Sequence, residues 1–252
     1  MEIHGVDLIP SGSLKGKAIL VTGAARRIGR AIAMRLAREG AEVLIHYHQS
    51  AEEAEQTARE CGGAPLFRAN LERVPEIEKM FGDIAGRVGR LDGLVNNAAR
   101  FSRFHPLDIS ENDWDLVHSV NLKAVFFCSQ LAARLMLKNP GGAGRIVNIS
   151  SLGGIRPWPD HVHYCASKAG VIHMTKALAV ALAPGISVNS VAPGVTPFEE
   201  TEDERIQVLV KKTPAARAGT GEELAEAVVY FLKSSAFVTG QILAVDGGLS
   251  QV

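Results

Sequence analysis

Short β-branched runs alternate along the chain with longer stretches in which apolar residues return every three or four positions. That alternation predicts a parallel sheet covered by helices on both faces. "AILVTG" reads as the first strand, followed by a helix from about Arg27 to Glu39 that Gly40 stops. "AEVLIHY" is a second strand, and "SAEEAEQTARE" a second helix with Ser50 as its N-cap. "APLFRAN" is a third strand, Val74 to Arg87 its following helix, and "LDGLVNNA" a fourth strand. A long helical region covers Glu111 to Leu137. The strands "GRIVNISS", "GISVNSVAPG" and "GQILAVDGG" complete the pattern, with helices over His161 to Leu182 and Gly221 to Leu232 between them. No repeat, linker or composition break intervenes. Residues 1–252 therefore read as one α/β domain, a doubly wound sheet of seven parallel strands.

The pattern dissolves between Pro193 and Thr220, where Pro, Glu and Lys dominate and the stretch reads as a structureless loop. Loops of that length in a compact domain are usually functional. This one follows the carboxyl end of a strand, where open α/β sheets bind ligands. Residues 194–220 are expected to form a lid over a site, with Glu199 to Glu204 on its solvated surface.

Charge changes the picture only by exclusion. Lys plus Arg and Asp plus Glu number 27 each, so nothing favours a nucleic acid or a membrane surface as partner. The beginning of the chain, "MEIHGVDLIPSGSLKGK", lacks the basic start and apolar run of a leader, and no stretch approaches the roughly 20 uninterrupted apolar residues of a membrane span. Three scattered cysteines, Cys61, Cys128 and Cys165, suit neither a disulfide framework nor a zinc site. His161 and His163 have no third ligand at a suitable spacing, so no metal is expected. The expectation is a soluble, cytoplasmic protein acting on a small molecule.

Two motifs carry chemistry. The first is "TGAARRIG", from Thr22 to Gly29. A glycine turn between a strand and a helix lets backbone N–H groups approach a pyrophosphate, with the helix N-terminus adding positive potential. Here Gly23 and Gly29 bracket the turn, and Arg27 and Ile28 lie inside it. A dinucleotide-binding unit that takes NAD commonly places an acid about 20 residues further on, against the ribose 2′-hydroxyl. This chain offers "HYHQS", His46 to Ser50, with no carboxylate. Arg27, His48 and Ser50 are all able to bind a 2′-phosphate, arginine through its planar fork of donors. The expected cofactor is NADP(H).

The second is Tyr164 and Lys168, which fall on one face of a helix at a spacing of four. A neighbouring ammonium favours the phenolate and lowers the tyrosine pKa toward neutrality. Such a tyrosine can hand a proton to a carbonyl oxygen, with the Ser151 hydroxyl on the same oxygen.

"TGAARRIG", "NNAA" at Asn96 to Ala99, Asn121, Ser151 thirteen residues before Tyr164, "YCASK", "NSVAPG" and "VDGG" stand together in order. Over nearly its whole length the chain resembles the short-chain dehydrogenase/reductases, which implies a Rossmann fold and oxidoreductase activity. The resemblance implies that Tyr164 is the acid/base, that Lys168 binds the nicotinamide ribose and tunes Tyr164, and that Ser151 holds the substrate oxygen. It implies that the backbone of Asn121 holds a water in a proton relay, completing the catalytic set. Asn96, Asn97 and Ala98 match the segment lining the adenosine ribose, Asn70 and Leu71 the adenine flank, and Pro193 and Gly194 the turn near the nicotinamide. A homotetramer is implied on the same basis.

"TGAARRIGRAIA", "HYHQSAEEA" and "NNAARF" look most like the pteridine reductase subgroup, which implies NADPH and an aromatic at Phe101 stacked on a pterin. Ser151 and Ala99 depart from that subgroup's aspartate and serine, and a serine beside a tyrosine suits a carbonyl better. Trp158 is expected as an apolar wall of the substrate cleft. The expected function is NADPH-dependent reduction of a small C=O or C=N group, with a pterin first and a general carbonyl or 3-oxoacyl substrate as the alternative. A non-catalytic NADP(H) sensor is the rival of another class. A serine hydrolase is disfavoured because Ser151 lies outside a Gly-x-Ser-x-Gly elbow.

Overall fold

Leu20 points into one apolar layer while Ile19 and Val21 point into another, so the first strand is buried on both faces. This is the signature of a parallel sheet sandwiched between helices. The computed structural model describes residues 13–197 and 204–252. Its strands are β1 (Ala18–Val21), β2 (Glu42–Tyr47), β3 (Leu66–Arg68), β4 (Gly93–Asn96), β5 (Gly144–Ile149), β6 (Ile186–Pro193) and β7 (Ile242–Val245). All pair in parallel, in the order β3-β2-β1-β4-β5-β6-β7. The doubly wound reading holds. The order reverses between β1 and β4, and the crevice beyond their carboxyl ends is where such sheets bind ligands.

The helices are α1 (Arg27–Arg38), α2 (Ala51–Glu60), α3 (Val74–Val88), α4 (Glu111–His118), α5 (Ala124–Met136), α6 (Val162–Leu182), α7 (Glu204–Lys212) and α8 (Gly221–Lys233). On one face Ile32 and Leu36 of α1 and Val228 and Leu232 of α8 pack on Ile19 and Val21. On the other, Ile77, Met80 and Ile84 of α3 and Cys128, Ala132 and Met136 of α5 pack on Leu20 and Leu94.

Three local expectations need correction. Ser50 stands at the head of α2, but its side chain makes no capping bond. The functional caps are Ser110 with Asp113 on α4 and Thr220 with Glu223 on α8, each a reciprocal capping box. The region expected as one helix from Glu111 to Leu137 is interrupted by a π turn at Ser119–Lys123. Taken as one rod, Glu111–Met136 has the length and hydropathy of a membrane-crossing helix, yet half of its apolar window is buried inside the protein. The stretch from Pro193 to Thr220 is not structureless, since α7 lies within it. Ile206 and Val210, four apart, form its inward stripe, and Thr213 closes it by donating to the Leu209 carbonyl at 2.9 Å. The acidic positions Glu199 to Asp203 lie outside the described residues.

Candidate active site

The carboxyl ends of β1, β4, β5 and β6 deliver one motif each to the same side of the sheet. After β1 the chain turns at Gly23, with φ at +63°, and a Cβ there would stand 3.0 Å from the Ala98 Cα. Gly29, at the start of α1, is still more constrained, because its Cβ would meet the Gly23 carbonyl oxygen at 2.1 Å. The turn is tied to the end of β4. Asn97 Nδ2 donates to the Thr22 and Gly23 carbonyls at 2.9 and 3.1 Å. The backbone N–H groups of Asn97 and Ala98 donate to Thr22 Oγ1 at 2.9 and 3.1 Å. These glycines leave backbone, not side chain, as the wall of the crevice, which fits a pyrophosphate against the first turn of α1.

Arg27 is exposed and holds φ at +53°, a left-handed conformation that a side chain rarely adopts. Strain of this type collects at ligand sites. Ile28 packs partly into the core under the turn. His48 and Ser50 are half-buried at the end of β2, flanking the same crevice. Asn96 turns away from it: its buried amide donates to Ser129 Oγ at 3.0 Å and Asn148 Oδ1 at 2.9 Å. Asn70 Oδ1 is occupied by the Glu72 N–H at 3.0 Å, and Leu71 is buried in the second core. Gly194 leaves no space for a Cβ, which would lie 2.6 Å from the Asp246 Cα; the carboxylate of Asp246 in turn accepts from the Gly248 and Ser250 N–H groups.

The reactive groups sit where β5 meets α6. Ser151 follows β5, is 5% exposed, and its Oγ accepts the Gly153 N–H at 3.0 Å. Tyr164 and Lys168 share one face of α6, with Lys168 Nζ 5.8 Å from the centre of the Tyr164 ring. Asn121, fully buried in the π turn, accepts the Arg100 N–H at 2.8 Å and donates to Arg100 O at 2.9 Å and to Ser167 Oγ at 3.1 Å. Ser167 Oγ donates to the Tyr164 carbonyl at 2.7 Å. The side chain of Asn121 thus locks α6 to the loop carrying Phe101. Helical π turns of this sort recur at functional sites.

The expected lowering of the Tyr164 pKa is not what the protein alone produces. Burial pushes the phenol up to about 12, against a smaller opposing influence of the nearby Ser151 hydroxyl. Lys168 is pushed down to about 8 by the same burial, and its Nζ donates to the Ile149 carbonyl at 2.8 Å. A desolvated phenolate costs more than this lysine, committed to a carbonyl, returns. Without cofactor, Tyr164 holds its proton.

An aromatic surround encloses the phenol. Phe101 is 62% exposed, stacks on His161 at 4.6 Å between centroids, and presents itself edge-on to Tyr164 at 4.8 Å. Trp158 lies nearly parallel to Tyr164 at 6.1 Å. Gly153 sits beneath both rings, its would-be Cβ 3.1 Å from Trp158 and 3.3 Å from Tyr164. The loop bearing Phe101 is held down by His161 Nδ1 on the Ser102 carbonyl at 2.9 Å, by the Ser102–His163 contact at 2.8 Å and by the Arg103–Asp160 ion pair. His161 and His163 therefore anchor a loop. Among the described residues no group of three or more His, Cys, Asp or Glu side chains could hold a metal. The Ser151 hydroxyl accepts from the Gly153 N–H, and the His161 and His163 rings are engaged by Ser102, which is not a hydrolase arrangement.

Residues 23–250 match the family model described as enoyl-(acyl carrier protein) reductase. The chain belongs to the short-chain dehydrogenase/reductase family. It is an oxidoreductase with a nicotinamide cofactor. It is 36% identical over 244 residues to the 3-oxoacyl-[acyl-carrier-protein] reductase of Synechocystis sp., covering 94% of this chain and 98% of that one. With the corresponding reductase of Thermotoga maritima the identity is 40% over 246 residues, again 94% and 98% of the two chains. Among solved structures it superposes on the angucycline C-6 ketoreductase LanV with bound NADP at a TM-score of 0.87 and 32% identity, over 96% of this short-chain dehydrogenase/reductase and 98% of LanV. A mutant short-chain dehydrogenase/reductase of Serratia marcescens gives 0.87 and 35%, over 95% and 100% of the chains.

Proposed function

We propose that this chain is an NADPH-dependent reductase of small activated ketones, with 3-oxoacyl thioesters and related β-keto compounds as its main substrate class. The observation that carries this reading is Ser151 on the Gly153 N–H with Tyr164 packed against the same glycine, the phenol kept protonated by burial. Two neighbouring hydroxyls can both serve one carbonyl oxygen. Ser151 holds that oxygen, and Tyr164 releases its proton to it as negative charge develops, help worth roughly 10²–10⁴ in rate. Lys168 places its ammonium beneath the phenol and stabilises the phenolate that remains. Bound in the crevice, the reduced nicotinamide supplies the hydride. The names of the curated relatives support the substrate class, and the NADP in LanV supports the cofactor.

Gly23, Ile28, Gly29, Asn97 and Ala98 would form the pyrophosphate and ribose wall, with Pro193 and Gly194 beside the nicotinamide. Arg27, His48 and Ser50 would meet the 2′-phosphate, and the stretch from His46 to Ser50 carries no carboxylate. Arg27→Gly is expected to weaken NADPH about tenfold or more while leaving NADH within about twofold, measured by steady-state KM for each. Equal weakening of both would move Arg27 to the shared pyrophosphate.

Reduction of a pterin is the second reading, favoured by one observation: Phe101 offers an exposed flat ring beside Tyr164. The deciding experiment follows NADPH oxidation with 3-oxoacyl thioester, dicarbonyl and quinone wells beside dihydropterin and folate wells. Turnover confined to ketones is the expected result. Turnover confined to pterins would give Phe101, rather than Ser151, the deciding role, and binding without turnover anywhere would leave a sensor. The reading takes 1–252 as one catalytic domain with a lid over 194–220, assembled as a cytoplasmic homotetramer. Exposed Trp114 and Phe126 on α4 and α5, and Phe237 before β7, supply apolar surface for such contacts.

A further inference from the structure

Two N–H groups of the glycine turn end on a single residue of the neighbouring strand. Gly23 N–H donates to His46 Nδ1 at 3.0 Å, and Ala24 N–H donates to the His46 carbonyl at 3.0 Å. Across the ring, His46 Nε2 bonds the Ala69 carbonyl at 3.1 Å. Because Nδ1 accepts, the ring proton must sit on Nε2, and the imidazole is neutral. The side chain is 2% exposed, and burial, with His48 adding to it, holds its pKa down at about 4.

Three carbonyls of the turn are served from elsewhere. Asn97 takes the carbonyls of Thr22 and Gly23, and Thr57 Oγ1 on α2 donates to the Ala25 carbonyl at 3.0 Å. Gly23 N–H is left to His46. Both ring nitrogens are thus spent on backbone, one on each of two loops: the turn after β1 and the Ala69–Asn70 corner after β3. With Asn70 and Leu71 flanking the adenine, as the family resemblance implies, those loops border the adenosine end of the cofactor site proposed above, on which this inference rests.

We propose that His46 is a positioning residue of the nicotinamide-cofactor site, a neutral imidazole strut that fixes the spacing between the glycine turn and the Ala69–Asn70 wall. It touches neither phosphate nor reacting atoms. It acts through the turn, so its effect is the same for cofactors with and without a 2′-phosphate.

The test measures dissociation constants of NADP⁺ and NAD⁺ by calorimetry, with kcat at saturating NADPH, for His46→Leu and His46→Asn. His46→Leu leaves the partly buried Gly23 N–H without its acceptor, and is expected to weaken both cofactors by the same factor, about tenfold or more. Its kcat at saturation should stay within about twofold. His46→Asn, whose Oδ1 can take the Gly23 N–H, should recover part of the loss. Unchanged dissociation constants in folded His46→Leu would overturn the proposal, as would a loss confined to NADP⁺, which would indicate a 2′-phosphate contact. Failure of the NADPH preference alone would appear as parity of the two cofactors in the unaltered protein, a separate result. Ring ¹⁵N NMR of the unaltered protein decides the matter even if His46→Leu does not fold. The expected spectrum shows the Nε2–H tautomer and a Nδ1 resonance that moves on saturation with NADP⁺. An Nδ1–H tautomer, or a Nδ1 resonance that NADP⁺ leaves in place, overturns the strut.

Discussion

Tyr164→Phe is expected to lower turnover by about 10³-fold or more while the dissociation constant for the nicotinamide cofactor stays within about twofold. The substitution deletes one oxygen from a buried ring and keeps the ring's contacts with Phe101 and Trp158, so neither fold nor cleft shape should suffer. What disappears is the hydroxyl and its proton. Stopped-flow measurement of the reduction half and a cofactor titration separate the two effects. Retained turnover would remove Tyr164 from the acid role and shift the burden to Ser151. The pKa near 12 makes the experiment directional: the protein alone stores a neutral phenol, suited to giving a proton rather than taking one at neutral pH.

Gly29→Ala should be the most damaging change outside the reactive centre. The added methyl would stand 2.1 Å from the Gly23 carbonyl oxygen and 2.5 Å from Asn97 Nδ2, and the first of these is backbone. The turn would have to move away from α1, breaking its ties to β4. Overpacking of this kind costs about 2–3 kcal/mol, or a fall in melting temperature of about 5–10 °C for a chain of this length. Loss of measurable cofactor binding should accompany it. Gly82→Ala on α3 is the control, because nothing lies within 4 Å of its would-be Cβ. That change should leave binding alone and hold or slightly raise the melting temperature. Equal behaviour of the two variants would show that the close approach at Gly29 is not needed.

The sheet was legible because its central strands are β-branched runs with both faces apolar, and because Gly40 marks the end of the first helix, where its φ is indeed left-handed. Tyr164 and Lys168 were legible as a spacing of four and Ser151 through the family resemblance, and α6 does bring the first two onto one face. Other parts had no local signature. A π turn at Asn121 differs from an α-helix by one residue of phase, which apolar periodicity over so short a stretch does not register. In "HYHQS" the residue type singles out neither His46 nor His48; only the packing of β2 between β1 and β3 makes the first a buried, doubly bonded ring. α7 was hidden by its Pro- and Glu-rich neighbours, since two apolar positions four apart are a weak helix signal. The direction of the Tyr164 shift was beyond the sequence because desolvation depends on burial, not on spacing.

The π turn also sets how the chain between Glu111 and Met136 can tolerate a change of length. Ala124 N–H reaches back to the Ser119 carbonyl across five residues, one more than an α-helical turn would hold. Deleting one residue from 119–123 would let the turn close to an α-helical one, which takes about one residue fewer for the same rotation, so α5 would keep its face toward the sheet. Ser129 would stay on the Asn96 amide, and Cys128, Ala132 and Met136 in the core. The shorter turn would instead displace Asn121 from Arg100 and Ser167, so loss of a residue here should spare the fold far more than the site.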